Sequence, residues 1–314
     1  MSLGTSEGKP AGLRLAVCGH TNLDVQIMVQ ELPKAGQSAP VLERRTVWGG
    51  TAANIARHAG GLGVPVRLWS RVGADFPEAW RDALTSDGVD LAHLDVDAAG
   101  RTPTCFVLTD LIDRQAYCMD QGPMATMAAH PPSQHLVDAF GPGDWLHVAT
   151  GDPQAYVGVM QHARKQGVSV AFDPGQELRF LYDSRTFERL LGLADLYFCN
   201  EAELQVAYNL MSYGDPVQLL DHVEAVVVTR GAQGASLYRS RKKPVHLPAQ
   251  AVPRVVDPTG AGDALRAGWY AALRRGQDFE GALRWGQAAG AAKVQVAGPQ
   301  SRALRPADLG MLVA

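Results

Sequence analysis

Short apolar runs alternate with longer segments of helical spacing along most of the chain. The runs are of strand length, and the longer segments place apolar residues on one helical face. The predicted strands cover residues 13–19, 64–73, 144–150, 168–174, 194–200 and 223–231, and the predicted helices cover 51–63, 79–88, 153–167, 201–210, 261–276 and 281–295. This alternation predicts an α/β fold with a mostly parallel central sheet and helices on both faces. Ligands of such sheets bind beyond the carboxyl ends of the strands.

Two segments, residues 24–47 and 102–121, interrupt the alternation with short strand-like runs and polar turns. Such strands predict a small second sheet, either a lid over a ligand site or a plain edge hairpin. We therefore expect one domain over residues 13–314, with these two segments inserted as the lid. Residues 1–12 are small and polar, and we expect a flexible tail there.

The composition is that of a folded globular protein. Of the 314 residues, 46% are hydrophobic and 19% are charged, and 29 basic against 32 acidic residues leave a net charge of −3. Long blocks of one charge are absent, so the sequence predicts neither a nucleic-acid tract nor a membrane-surface patch. The first residues lack the apolar core of a signal peptide, and the four cysteines form no C-x-x-C pair. We therefore expect a cytoplasmic protein with free thiols.

The segment DPTGAGDALRAG, residues 257–268, carries the clearest candidate chemistry. Gly260 and Gly262 free the backbone of a polar turn, Ala261 lies between them, and a helix follows at once. Exposed backbone N–H groups and the positive end of a helix form an anion-binding site. Asp263, in the first helical turn, would accept the proton of a hydroxyl that attacks a phosphoryl group held there. The alternative is an ordinary helix start with a capping aspartate.

This segment resembles the C-terminal signature of the ribokinase family of sugar and nucleoside kinases, D-T-x-G-A-G-D-x-F. The resemblance implies that Asp263 is the catalytic base and that the amides of residues 260–262 form the anion hole. It also implies ATP and Mg²⁺ as cofactors, and it leaves open a monovalent cation such as K⁺ beside the loop. Pro258 and Leu265 stand where the family usually has threonine and phenylalanine, and neither change removes a catalytic group.

Two N-terminal motifs resemble the substrate-binding segments of that family. WGGTAANIARHAGGLG, residues 48–63, resembles G-G-x-x-x-N, and GHTNLDV, residues 19–25, resembles G-x-x-N-x-D. Glycines let a hydroxyl-rich ligand approach the backbone, and an asparagine offers both a donor and an acceptor. The structural alternatives are a glycine turn before a helix and a turn-forming aspartate. The resemblance implies a polyol site, with Asp24 as the main hydroxyl ligand, that consists of Asn22, Asp24, Gly49, Gly50 and Asn54.

Two later motifs resemble the nucleotide site of the family. NEAEL, residues 200–204, resembles N-x-x-E, which implies that Asn200 and Glu203 place magnesium and phosphates, with Glu203 acting through water. The alternative is an N-capped helix with a surface glutamate. VTRGAQG, residues 228–234, resembles T-x-G-x-x-G. The resemblance assigns the rest of the ATP site to Thr229, Gly231, Gly234, Asp257, Thr259, Gln287 and Gly290.

The acceptor is a polyol whose class the motifs leave open. GADFPEAWRDAL and FDPGQELRFL resemble the bacterial adenosine-kinase-like members of the family, which favours a nucleoside. Phe106 and Met119, in the predicted lid, are candidates to pack against a base. A free sugar of the ribose, fructose or ketodeoxygluconate type is one alternative. A sugar phosphate is another, for which Arg101 and Arg114 would supply positive charge.

Other classes of protein fit the sequence less well. A non-catalytic sugar- or nucleotide-binding protein of the same fold has no need of Asp263 beside an anion hole. A nucleotide-dependent oxidoreductase would need G-x-G-x-x-G after the first strand, where GHTNLD stands instead. The segment at 257–268 also lacks the lysine of a Walker A loop. For the assembly, the resemblance implies a monomer or a homodimer joined through the lids.

Overall fold

Two β-sheets, one of ten strands and one of four, organise the part of the chain that the structure describes. The structure is a computed structural model that describes residues 12–112 and 114–313. Its strands are β1 (Leu15–Cys18), β2 (Asn22–Val29), β3 (Val41–Gly49), β4 (Val66–Gly73), β5 (Val89–Asp90), β6 (Leu94–Asp97), β7 (Thr104–Thr109), β8 (Gln115–Asp120), β9 (Trp145–Val148), β10 (Ser169–Phe172), β11 (Leu196–Asn200), β12 (Ala225–Thr229), β13 (Ala235–Arg239) and β14 (Val245–Leu247).

Helices cover both faces of the large sheet. They are α1 (Thr51–Gly61), α2 (Glu78–Ser86), α3 (Pro153–Lys165), α4 (Leu178–Leu181), α5 (Ser184–Leu191), α6 (Glu201–Met211), α7 (Ala261–Arg274) and α8 (Phe279–Lys293). Apolar residues of α1, α2, α7 and α8 form the core on one face, and those of α3 to α6 form the core on the other. The predicted α/β fold with helices on both faces is confirmed.

The large sheet is parallel over most of its width. Its order is β14-β13-β12-β11-β10-β9-β1-β4-β5, and β6 also pairs with β4. All neighbours from β12 to β5 run parallel, whereas β13 and β14 add an antiparallel edge. Because parallel strands end at one edge, the loops that follow β1, β9, β10, β11 and β12 meet there.

The small sheet has the order β3-β2-β7-β8. Strand β2 pairs antiparallel with β3 and parallel with β7, and β7 and β8 form a hairpin. The predicted small separate sheet is therefore confirmed. Strand β2 begins at Asn22 and β3 ends at Gly49, opposite each other in register. The two N-terminal motifs thus lie side by side at the base of this sheet.

Several short elements are not predicted by the sequence pattern. Strands β5 and β6, the antiparallel edge strands and helices α4 and α5 are among them. Helix α5, SRTFERLL, has only eight residues and buries three of them, which is too few to show a helical pattern of apolar positions in the sequence. The predicted tail over residues 1–12 lies, apart from Gly12, outside the described residues. Within residues 12–112 and 114–313, the helices are too short or too polar to span a membrane.

Candidate active site

A cleft of about 1820 Å³ separates the carboxyl-terminal edge of the large sheet from the small sheet. It is lined by strand-end loops of the large sheet and by side chains from all four strands of the small sheet. The structure brings into it most of the predicted site residues, which are far apart in the sequence. These are Asn22, Asp24, Gly50, Asn54, Met119, Asn200, Glu203, Thr229, Gly231, Gly234, Asp257, Thr259, Gly260, Ala261, Gly262, Asp263, Gln287 and Gly290.

Two predicted substrate residues do not line the cleft. Phe106 lies on β7 between Cys105 and Val107, which do line it. Because side chains alternate along a strand, the Phe106 ring is on the opposite face of the small sheet, where it is 36% exposed. Gly49 lies behind Asp24, and a Cβ at this position would overlap with the Asp24 carboxylate. Gly49 thus makes room for a ligand residue rather than contacting the cavity itself.

Asp263 lies in the first turn of α7 and faces the cleft. Its Oδ2 accepts a hydrogen bond of 2.6 Å from Nδ2 of Asn54, in the first turn of α1. Burial raises the pKa of Asp263 to about 6, although the Asn54 hydrogen bond and the Arg266 charge act in the opposite direction. The carboxylate is therefore ionised at neutral pH and is more basic than an ordinary aspartate. That combination suits a general base.

The turn before α7 has the backbone shape of an anion site. Gly260 caps the helix with φ 79°, a left-handed conformation that suits glycine, and a Cβ there would press on Pro299. The N–H of Ala261 donates to the carbonyl of Pro258 at 3.1 Å and is therefore already engaged. Among the described residues, the N–H groups of Gly262 and Asp263 have no backbone acceptor. The helix dipole adds positive potential at these amides.

Asp257 holds the other side of the same turn. Its two carboxylate oxygens accept hydrogen bonds from the backbone N–H of Thr259 at 2.9 Å and of Gly298 at 2.8 Å. Burial would raise the pKa of Asp257, but these hydrogen bonds and the Lys293 charge outweigh it, and the pKa is lowered. Asp257 is therefore a permanent negative charge at the base of the turn.

Asp24 and Asn22, the predicted polyol ligands, both line the cleft. Nδ2 of Asn22 donates to Oδ1 of Asp24 at 2.7 Å. Burial raises the pKa of Asp24 to about 6, and the negative charges of Asp263 and Asp257 add to that rise. Asp24 and Asp263 both line the cleft, so the candidate base and the candidate hydroxyl ligand face the same cavity. Such a pair can hold one hydroxyl of a ligand and deprotonate another.

Asn200 and Glu203 form a helix cap whose side chains also line the cleft. Asn200 caps α6, and Glu203 N–H donates to Oδ1 of Asn200 at 2.9 Å while Oε2 of Glu203 accepts from Asn200 N–H at 2.8 Å. The pair is thus a capping box. Both residues also line the cleft, so Glu203 is not a surface glutamate. Burial and the neighbouring Asp173 charge raise the pKa of Glu203.

The residues predicted to bind the nucleotide lie where backbone segments pack closely. Gly234 has φ 100°, and a Cβ there would overlap with the carbonyl of Leu247. Gln287, on α8, donates from Nε2 to the same Leu247 carbonyl at 2.9 Å. Gly290, one turn later, lies against the carbonyl of Ala261 at the start of α7. These contacts join the loop after β12, the segment after β14 and helix α8 into one wall.

A buried ion pair that the sequence analysis missed supports the candidate base. Arg266, one turn after Asp263, donates to Asp173 through Nε at 2.8 Å and Nη2 at 3.1 Å. Nε2 of His147 lies 3.3 Å from the same carboxylate. Burial would raise the pKa of Asp173, but Arg266 and His147 lower it to about 2. The signal was present in the sequence, since Asp173 stands at the carboxyl end of the predicted strand 168–174 and so lies at the ligand-binding edge.

A second missed group joins the large sheet to the small one. His20, after β1, contacts the hydroxyl of Thr150 through Nδ1 at 2.9 Å and hydrogen-bonds Gln121, after β8, through Nε2. Nε2 of Gln121 also donates to Oε1 of Glu177 at 3.2 Å. All four side chains line the cleft, and His20 is only 3% exposed. The position of His20 within GHTNLD, two residues before Asn22, was the available signal.

The two arginines that the sequence suggested for binding a sugar phosphate, Arg101 and Arg114, do not face the cleft. Arg101 is exposed and does not line the cleft. Arg114 is bound to Asp110 through Nε at 2.7 Å and also lies outside the cleft. Arg45, on β3, does line it and donates to Gln26. The two arginines proposed from the sequence thus form no phosphate cluster in the cavity.

Comparison with known proteins gives a family match over nearly the whole described chain. The family model described as pfkB family carbohydrate kinase matches residues 13–305. A nucleoside kinase of Methanothermobacter thermautotrophicus is 33% identical over 296 residues, which are 91% of this chain and 91% of that protein. An ATP-dependent ribose-1-phosphate kinase of Halopiger xanaduensis is 31% identical over 297 residues, 89% of this chain and 91% of that protein.

Structural comparison agrees with the sequence match. The structure of Burkholderia thailandensis nucleoside kinase in complex with inosine superposes with a TM-score of 0.84 at 26% identity. The superposition covers 94% of this chain and 96% of the other. The similarity therefore includes both sheets and the cleft between them.

Proposed function

The chain belongs to the pfkB family of carbohydrate kinases, and we propose that it transfers the γ-phosphoryl group of ATP to a primary hydroxyl of a nucleoside. The observation that carries this proposal is the position of Asp263. It lies beside the N-terminal amides of α7, it is held by Asn54, and it faces the cleft that also contains Asp24. A base beside an anion site is the minimum that phosphoryl transfer requires.

Asp263 acts first on the acceptor. Its carboxylate accepts the proton of the attacking hydroxyl, and the 2.6 Å hydrogen bond from Asn54 keeps one carboxylate oxygen in place. A pKa of about 6 leaves the group ionised at neutral pH, with more affinity for a proton than an ordinary aspartate has. The Asn54 amide also belongs to the predicted polyol site, so acceptor and base are aligned by one residue.

The amides at the start of α7 act on the phosphoryl group. Gly262 and Asp263 are the N–H groups that we assign to the anion hole, because that of Ala261 donates to Pro258. Gly260 contributes the left-handed turn that directs these amides into the cleft. Preorganised N–H groups and the helix dipole stabilise the charge of the transferred group.

The residues present fit a magnesium–nucleotide complex bound mainly through water. Within the described residues, no group of three or more His, Cys, Asp or Glu side chains is arranged to hold a metal. Mg²⁺ commonly uses one or two carboxylates, waters and substrate phosphates, which Glu203 in the cleft wall would satisfy. Bound Mg²⁺ neutralises phosphate charge during transfer. Thr229, Gly231, Gly234 and Gln287 are assigned to the nucleotide.

The small sheet is proposed as a lid that completes the acceptor site. Its β8 residues Tyr117 and Met119 face the cleft and are 58% and 41% exposed. Such side chains gain contacts when a planar base covers them. His20 and Gln121, which are hydrogen-bonded to each other, lie at the base of the lid and join it to the large sheet. Exclusion of water by a closed lid would limit ATP hydrolysis.

Ribose 1-phosphate is a second candidate acceptor, because one relative is a kinase for it. Arg101 and Arg114 lie outside the cleft, and two arginines that do line it are already paired, Arg230 with Glu201 and Arg266 with Asp173. Arg45 is the lid cation that a sugar phosphate would have to use. The charge distribution therefore favours an uncharged acceptor, for which a nucleoside or a free sugar qualifies.

The test is an ADP-release assay with ATP and Mg²⁺ against adenosine, inosine, guanosine, cytidine, ribose, fructose and ribose 1-phosphate. We expect acceptor-dependent turnover with one or more nucleosides, and none with Asp263→Asn. Turnover with sugars alone would contradict the proposal of a nucleoside acceptor but would agree with the proposed mechanism. Selective turnover with ribose 1-phosphate would establish the second candidate. ATP binding without turnover on any acceptor would contradict a kinase function.

A further inference from the structure

Lys293, the last residue of α8, is a charged side chain in the protein interior. It is only 2% exposed. Burial of one ammonium group without partners destabilises a protein by roughly several kcal/mol. Its partners are two backbone carbonyl oxygens, those of Asp257 at 3.3 Å and Val296 at 3.1 Å. Among the described residues, no carboxylate forms an ion pair with it at 4.0 Å or less.

The two carbonyl groups belong to the segments that enclose the anion-hole turn. Asp257 directly precedes the turn, and Val296 lies in the chain that returns after α8. The same segments are joined by hydrogen bonds from Val256 N–H to Val294 O at 2.7 Å and from Gly298 N–H to Asp257 Oδ2 at 2.8 Å. The ammonium group of Lys293 therefore lies at the centre of the contact that fixes the base of the turn.

The charge of Lys293 acts on both acidic residues of the turn. It lowers the pKa of Asp257 and that of Asp263. Burial lowers the pKa of Lys293 itself, and the charges of Asp257 and Asp263 oppose that shift. A single positive charge surrounded by carbonyl oxygens, close to two carboxylates, is what an alkali cation would supply at this place.

The residues present do not fit a separate K⁺ ion at this place, because the Lys293 ammonium already uses the carbonyl oxygens that such an ion would need. We propose that Lys293 is a built-in monovalent cation, which positions the anion-hole turn and makes phosphoryl transfer independent of K⁺. This inference rests on the proposed kinase function. Lys293 is a positioning residue, since it acts through Asp257 and the turn and is not assigned to substrate or nucleotide.

The experiment compares the wild-type protein with Lys293→Ala and Lys293→Met at constant ionic strength. Turnover is measured in chloride salts of K⁺, NH₄⁺ and tetramethylammonium, which is too large for the site. We expect wild-type turnover to vary by less than about two-fold among these salts. Lys293→Ala should lose roughly ten-fold or more in tetramethylammonium. K⁺ or NH₄⁺ should restore much of that loss, because the shortened side chain leaves room for a small cation.

Lys293→Met separates charge from packing, since methionine fills most of the space without a charge. It should lose activity in every salt and should shift the acidic limb of the pH–rate profile upward, because the charge that lowers the pKa of Asp263 is gone. Lys165→Ala, at an exposed position at the end of α3, is the matched control and should behave as wild type. A loss of stability without any salt or pH effect would assign Lys293 a structural role only.

Three results would overturn the proposal: activation of the wild type by K⁺, full activity of Lys293→Ala in tetramethylammonium, or loss of activity in both variants with no cation or pH dependence. If no acceptor is turned over, calorimetric ATP binding replaces turnover as the readout in the same salts. If the Lys293 variants do not fold, the wild type alone still tests the proposal, because activation of its turnover by K⁺ would overturn it. Absence of turnover on every acceptor would thus count against the kinase function, whereas activation of the wild type by K⁺ would count against the role of Lys293.

Discussion

Nδ2 of Asn54 donates a hydrogen bond of 2.6 Å to Oδ2 of Asp263, across a sequence separation of 209 residues. Asn54 belongs to the first turn of α1 and Asp263 to the first turn of α7, and these two helices pack on the same face of the large sheet. The bond joins the predicted polyol motif to the predicted catalytic motif. Both the chemistry and the orientation of the base therefore depend on contact between these two helices.

Removal of the base should abolish most of the activity. We expect Asp263→Asn to lower kcat by at least ~10²-fold, because an amide cannot accept the proton of the acceptor hydroxyl. The Kd of the acceptor should change little, since an amide oxygen still accepts from Asn54. Single-turnover kinetics and equilibrium binding measure the two quantities. Asp82→Asn, at an exposed position of α2, is the control, and near-wild-type turnover of Asp263→Asn would contradict the mechanism.

The same substitution should stabilise the unliganded protein at neutral pH. Burial raises the pKa of Asp263 from 3.8 to about 6, so the folded state binds this proton more tightly than the unfolded state does. The stability that the group contributes is present below about pH 4 and is lost as pH rises through about 6. Asp263→Asn should therefore raise the Tm at pH 7.5 by roughly 1–3 °C. The difference should disappear near pH 4, and a lower Tm at pH 7.5 would contradict it.

The rate should depend on pH through the two acidic residues of the cleft. Burial raises the pKa of both Asp263 and Asp24 to about 6. In the proposed mechanism both act in their ionised form, Asp263 as the base and Asp24 as an acceptor of a hydrogen bond from a hydroxyl group. We expect kcat/KM for the acceptor to rise as pH increases through about 6 and to level off above 7. A profile that is flat between pH 5 and 8 would show that neither carboxylate titrates as the structure indicates.

Loss of the Asn54 amide should move that profile. The hydrogen bond from Asn54 lowers the pKa of Asp263, so Asn54→Ala should raise it and shift the acidic limb toward higher pH. Turnover should also fall by roughly ten-fold at the optimum, because the base loses its fixed orientation. Comparison of full pH profiles, rather than rates at one pH, measures both effects. An unshifted limb with a reduced plateau would indicate that Asn54 acts on the acceptor alone.

A methyl group at position 49 should weaken acceptor binding selectively. A Cβ at Gly49 would overlap with the Asp24 carboxylate, which must then move from its present position. We expect Gly49→Ala to raise the KM of the acceptor by roughly ten-fold or more and to leave the KM of ATP nearly unchanged. Gly158→Ala, in α3, has open space around its Cβ and serves as the control. Equal effects on both KM values would indicate general distortion.

The buried pair of Arg266 and Asp173 should be important for stability. Arg266→Met leaves the Asp173 carboxylate buried without its guanidinium, which costs about 3–5 kcal/mol when a buried pair is broken. Urea unfolding measures the free energy of unfolding. The double variant Arg266→Met/Asp173→Asn should recover part of that loss. Arg164→Met removes a partly exposed pair with Asp195 and should cost less than ~1 kcal/mol.

Some contacts within the candidate site could be predicted from the sequence because they are local. The turn at 257–263 is an example, since its glycines and its aspartate act within a few residues of one another. The capping box of Asn200 and Glu203 is another, because the two partners are three residues apart. The same holds for Asn22 and Asp24 at the start of β2.

Other features depended on orientation that a local pattern does not contain. Phe106 is one residue from cleft-lining neighbours, yet the strand alternation turns it away. The Ala261 amide donates to Pro258, which depends on the backbone geometry of the turn. Neither the pairing of Arg266 with Asp173 nor the burial of Lys293 appears in any motif, because each joins segments that meet only when the sheet is assembled.

The sequence by itself therefore determined the order of the main strands and helices, the presence of a small second sheet, and the residues at the carboxyl ends of the main strands. Apolar period and turn chemistry are short-range properties, and the parallel sheet then brings those strand ends to one edge. Only the tertiary structure decided which side chains meet across the cleft, how burial shifts the pKa of Asp24 and Asp263, and where the Lys293 charge lies. These depend on distances between segments far apart in the chain and on exclusion of water, which exist only after packing.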